Sequence, residues 1–129
     1  MFKRIDHVEL ITDEPDRTVA FYTDTLGFKV KSRARVGSPG AALDIVYVEL
    51  GGTTVEVITH RDAKPAPAPQ GLHLGYNLIA LEVEDMDRAL DYLKGKGVPV
   101  VWGPVKLAHS ARAEITDPNG YHIELRHWF

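Results

Sequence analysis

Ionisable side chains of one parity recur in four short stretches of this sequence: His7 and Glu9; Glu56 and His60; Arg112 and Glu114; and His122, Glu124 and Arg126. The positions between them are apolar, among them Val8 and Leu10, Val55 and Val57, and Ile123 and Leu125. A strand sends alternate side chains to opposite faces, so this pattern predicts one packed face and one face rich in imidazole, carboxylate and guanidinium. Thr54 and Ile58 fall on the same face as Glu56, as do Leu78 and Ala80 in a stretch where Ile79, Leu81 and Val83 pack. Burying so many charged groups is costly unless they meet a metal ion, one another or a ligand. Those needs define a cleft that handles protons, cations or anions.

The elements that position these groups follow from local chemistry. Ile5 to Ile11 reads as a strand. Asp13-Glu14-Pro15-Asp16 is a helix start, with a proline suited to the first turn. Val19, Ala20, Tyr22 and Leu26 then recur at helical spacing, and Gly27 stands where the helix stops. Strands are predicted over 28–35, 44–50 and 53–59, the last two joined at Gly51-Gly52. The stretch 61–74 contains Lys64-Pro65-Ala66-Pro67-Ala68-Pro69 and reads as an extended linker. The pattern then restarts, with a strand at 76–83, a helix at 85–96 and a strand at 98–101. Two more strands, 111–116 and 121–126, flank the turn Asp117-Pro118-Asn119-Gly120.

The restart is a repeat. Leu10 falls on Leu81, Asp16-Arg17 on Asp87-Arg88 and Phe21 on Tyr92, at an offset of 71 (81 − 10). Near the ends, Gly52, Val55, Glu56 and Val57 fall on Gly120, Ile123, Glu124 and Leu125, at an offset of 68 (124 − 56). An offset that holds through a strand and a helix and then shifts by three is what duplication with a loop deletion leaves. The expected architecture is α+β: two βαβββ modules, about 3–60 and 75–127 with the Pro-rich linker 61–74 between them, forming a curved mixed sheet of half-barrels with helices outside, in one domain of 129 residues.

Composition narrows the function. With 44% hydrophobic residues the chain suits one domain with a core. A net charge of -3 and no basic run argue against nucleic acid, and no apolar stretch is long enough to span a membrane. The polar start Lys3-Arg4-Ile5-Asp6 offers no signal-peptide core, so a cytoplasmic location is expected. With no cysteine, disulfides, thiolate metal sites and cysteine nucleophiles are excluded.

Four segments in order resemble the vicinal-oxygen-chelate superfamily: Ile5-Asp6-His7-Val8; Phe21-Tyr22 with Leu26-Gly27-Phe28; Ile79-Ala80-Leu81-Glu82-Val83-Glu84-Asp85; and Asp117-Pro118-Asn119-Gly120-Tyr121-His122-Ile123-Glu124-Leu125. That superfamily includes glyoxalase I, extradiol dioxygenases and bleomycin-binding proteins. The resemblance implies a homodimer acting on a small molecule, and one divalent metal ion (Zn, Ni, Mn or Fe) held at equivalent places in the two modules. The matching positions are His7, Glu56 and Glu124; the fourth is Leu78, which cannot coordinate. It further implies a metal-assisted lyase or isomerase on a small oxygenated metabolite, with Glu56 and Glu124 as acid/base candidates. Glu9, Arg112, Glu114, His122 and Arg126 would line the substrate cleft. Leu78 supports a different class, a metal-free protein that binds or sequesters a small molecule, as in the bleomycin-resistance branch. A third reading, an Fe(II) extradiol-type dioxygenase, needs a second histidine ligand.

Overall fold

The structure is a computed structural model and describes all 129 residues. Its elements run β1 Val8–Ile11, α1 Pro15–Ala20, β2 Lys29–Val36, β3 Leu43–Leu50, β4 Thr53–His60, β5 Leu78–Glu82, α2 Met86–Gly95, β6 Val100–Lys106, β7 Ser110–Thr116 and β8 His122–Trp128. They form two compact units, Met1–Pro67 and Ala68–Phe129. Each is a βαβββ module built on a four-stranded mixed sheet, in the order β1-β4-β3-β2 in the first and β5-β8-β7-β6 in the second. The class is α+β. No helix is long and apolar enough to cross a membrane.

In the first unit, Pro15 opens α1, and Thr12 Oγ1 accepts the Glu14 backbone N–H at 2.9 Å in place of a side-chain cap. The helix widens into a π-helical turn over Phe21–Thr25 and ends at Gly27, whose φ of +82° suits a residue without a Cβ. Helix α1 lies against β4. Tyr22, fully buried, meets Phe28 edge-on with ring centroids 5.4 Å apart, over a core of Leu10, Val19, Val48, Val55 and Val57. Gly51 and Gly52 both have positive φ, as the two-residue hairpin requires, and this turn sets the β3–β4 register that pairs Tyr47 with Glu56.

The second unit repeats the plan. Asp85 caps α2, its Oδ1 accepting the Arg88 N–H at 2.9 Å. Asp117 Oδ1 ties the last hairpin by accepting from the backbone N–H groups of Asn119 and Tyr121 at 2.8 and 3.0 Å. Met86, Leu93, Ala113, Ile115, Ile123 and Leu125 form its core. Both internal offsets appear as strand register: Glu9 lies opposite Glu56 as Ala80 lies opposite Glu124.

Two boundaries differ most from expectation. The first strand begins at Val8 rather than Ile5; Ile5 is exposed, has no ladder partner and leaves His7 just ahead of the strand. Val8 itself is half-exposed, so Leu10 alone carries the packed parity of that strand into the core. Strand β6 runs on to Lys106 rather than ending at 101, because two register shifts let pairing with β7 continue past Gly103 and Pro104. Gly103 has φ +81°, and a Cβ there would lie 2.7 Å from the Arg112 carbonyl oxygen. Gly103→Ala is therefore expected to cost more than about 1 kcal/mol, as strain and backbone clash add. A variant with an unchanged urea midpoint would contradict this.

Candidate functional site

The polar groups of the first unit gather on Glu56. It is 7% exposed although charged, because both oxygens have partners. Tyr47 donates its hydroxyl to Oε1 at 2.7 Å, and His7 Nε2 lies 2.9 Å from Oε2. The other ring nitrogen, Nδ1, is 3.0 Å from Asp6 Oδ2, so the imidazole bridges two carboxylates. Only the imidazolium can donate to both. The hydrogen bond His7 donates to Asp6 raises the His7 pKa above 6.5, burial opposes it, and the Glu56 charge adds to the rise. The same bond lowers that of Asp6. Glu9, opposite Glu56 in the β1–β4 register, is exposed and adds a weaker negative field at His7.

In the second unit Glu124 is 4% exposed and held by two guanidinium groups. Arg112 donates Nε and Nη2 to Oε2 at 3.0 and 2.6 Å. Arg126 donates Nε to Oε1 at 2.8 Å, with Nη2 2.7 Å from the same oxygen. Burial pushes the Glu124 carboxyl up, but the hydrogen bonds from Arg112 and Arg126 outweigh it and leave the pKa below 4.5. The indole of Trp102 lies 5.4 Å from the Arg112 guanidinium carbon, and that of Trp128 lies 4.8 Å from that of Arg126. One rung along the sheet, His122 Nδ1 is 3.1 Å from Glu114 Oε2. These two residues line a cavity of about 320 Å³ with Leu72, Tyr76, Leu78 and Tyr121. His73 also lines it, its ring tied to the backbone carbonyls of Gly71 and Tyr76.

The structure thus joins His7 to Glu56, Glu124 to Arg112 and Arg126, and Glu114 to His122. Tyr47 and Asp6 were not anticipated as site residues. Tyr47 had a readable signal: it lies as far before the Gly51-Gly52 turn as Glu56 lies after it. Asp6 had none, because strand parity puts it opposite to His7 and only the missing strand start lets its side chain fold back.

Donor chemistry decides how far a divalent ion fits. In the first unit His7 Nε2 and Glu56 Oε2 converge, and Asp6 orients the imidazole from behind, as a carboxylate behind a metal-bound histidine does. The second unit does not fit. Leu78 has no donor atom, and each Glu124 oxygen already accepts from a guanidinium. No group of three or more His, Cys, Asp or Glu placed to hold a metal ion occurs in either unit.

Comparison with known proteins agrees with the fold. The family model of the Glyoxalase/Bleomycin resistance protein/Dioxygenase superfamily matches residues 4–125, and the chain belongs to that superfamily. It is 29% identical over 124 residues to the lactoylglutathione lyase of Salmonella typhimurium, covering 95% of this chain and 90% of that protein. A putative lactoylglutathione lyase of Brassica oleracea is 27% identical over 125 residues; the chain spans 44% of its length. A solved glyoxalase family protein from Bacillus cereus superposes with a TM-score of 0.85 at 21% identity, over 100% of this chain and 96% of that one, and so shares the fold. At superfamily level these likenesses support a glyoxalase-like activity on a small molecule.

Proposed function

We propose that this chain is a lyase or isomerase that moves a proton on a small oxygenated metabolite, with Glu56 as the proton carrier. The carrying observation is the sequestered Glu56 carboxylate, fixed at one oxygen by Tyr47 and at the other by His7. A carboxylate so held needs little reorganisation to serve as a general base. The His7 imidazolium supplies the complementary charge: as Glu56 takes the proton, the substrate oxygen gains negative charge, which a cation beside it stabilises. The lactoylglutathione lyase relatives support the reaction class, and lactoylglutathione is the first substrate to test.

A divalent ion (Zn, Ni, Mn or Fe) would take the place of the imidazolium proton between neutral His7 Nε2 and Glu56, and would supply Lewis acidity toward substrate oxygens in its stead. Protein purified without chelators is expected to hold about one such ion per chain, lost in His7→Ala, as elemental analysis would show. If no ion is retained even after reloading, and lactoylglutathione is not turned over, the lyase reading is wrong. A second reading, metal-free ligand binding, is favoured by Leu78 and by the apolar wall of the cavity in the second unit. It predicts stable small-molecule binding without turnover and without dependence on His7.

A further inference from the structure

Glu124 is surrounded by more positive charge than one buried carboxylate requires. A single forked guanidinium would neutralise it, yet Arg112 and Arg126, partners in the β7–β8 register, both bond it. The three groups together keep a net charge of one positive unit. Neither neighbouring carboxylate bonds to the arginines: Glu114, opposite Glu124 in the β7–β8 register, bonds to His122, and Glu82, beside Arg126 in the β5–β8 register, is exposed.

The arginines are also fixed in place. Each is pinned through Nε and Nη2 to Glu124 and has an indole against it. Their side chains remain 33% and 22% exposed. Nη1 of Arg112 makes no hydrogen bond within the protein, and Nη1 of Arg126 reaches only Ser110 Oγ, at 3.4 Å. Guanidinium groups that are held, partly desolvated and short of acceptors match the planar, two-pronged geometry of an oxyanion. Their ordering cost has already been met on folding, so little more is lost when an anion arrives.

We infer that Arg112 and Arg126, with Glu124 as their positioning residue, form a binding site for the oxyanion of a small ligand, a carboxylate or a phosphate. The inference stands beside the lyase reading and does not rest on it, because its geometry lies wholly within the second unit. Glu124 then orients two cations for a ligand rather than serving as a ligand to a metal.

The test uses the full chain, stripped of metal, titrated with inorganic phosphate and separately with D-lactate at constant ionic strength in chloride. Saturable binding of at least one anion is expected, and the tighter arm tells phosphate from carboxylate. Arg112→Gln should weaken that binding about tenfold or more, because charge-assisted hydrogen bonds are lost. Arg112→Lys, which keeps the charge without the fork, should fall between, and Arg33→Gln on exposed β2 should change nothing. Should Arg112→Gln fail to fold, the wild-type ¹⁵Nε resonances of Arg112 and Arg126 give the same answer, since both must shift on titration. Absence of saturation with either anion overturns the proposal, as does equal affinity in a folded Arg112→Gln variant. No turnover enters the measurement, so a chain that binds anions but leaves lactoylglutathione intact refutes the lyase reading alone.

Discussion

Glu56→Gln is expected to lower turnover of lactoylglutathione about 10²–10⁴-fold, the usual contribution of a positioned proton-transfer group. Glutamine keeps the size of the side chain and an oxygen for the Tyr47 hydroxyl, so the β3–β4 pairing should survive. What it cannot do is take a proton from carbon. The loss should therefore fall on kcat with KM little changed, the signature of an interaction that matters in the transition state. Tyr47→Phe should cost less, because it frees one carboxylate oxygen without removing the base. Steady-state kinetics on both variants decides the matter; a glutamine variant as active as wild type would strip Glu56 of the role.

Removing both arginines should produce the largest stability loss. In Arg112→Met/Arg126→Met, Glu124 stays 4% exposed with no counter-charge, a situation that costs about 3–5 kcal/mol at neutral pH. Adding Glu124→Leu to that background should recover much of the loss, since an apolar trio of similar volume has no charge to desolvate. The pH dependence has a definite sign. In the wild type the Glu124 pKa is depressed below 4.5, so its stabilising contribution is present above 4.5 and is lost as pH falls through the folded value. In the double variant burial acts alone, the pKa rises, and protonation relieves the buried charge. The stability gap between the two proteins should narrow as urea unfolding is moved from pH 7 to pH 4. A gap that stays constant or widens would show that Glu124 finds another partner.

Much of this architecture is legible in the sequence because strand parity is unforgiving. A one-residue slip would have put Ile123 and Leu125 on the polar face, and the glycines at 51, 52 and 120 pin the hairpins that prevent it. Parity names the face of a side chain but not its partner. Glu124 could have met a cation, a water or either arginine; long guanidinium side chains that bend back along the sheet made the choice. The stacking of Trp102 on Arg112 depends on a bulge at Gly103 that no alternation reveals. Likewise the early end of β1 pairing, which lets Asp6 reach His7, is set by where the ladder with β4 begins.

The register that repeats between the units lets their side chains be compared one by one. Position for position, His7 answers to Leu78, Glu9 to Ala80 and Thr54 to His122, while Glu56 and Glu124 are the same residue with opposite company. One glutamate sits beneath an imidazole and a phenol, the other between two guanidiniums. Here one backbone plan carries two different settings for the same residue.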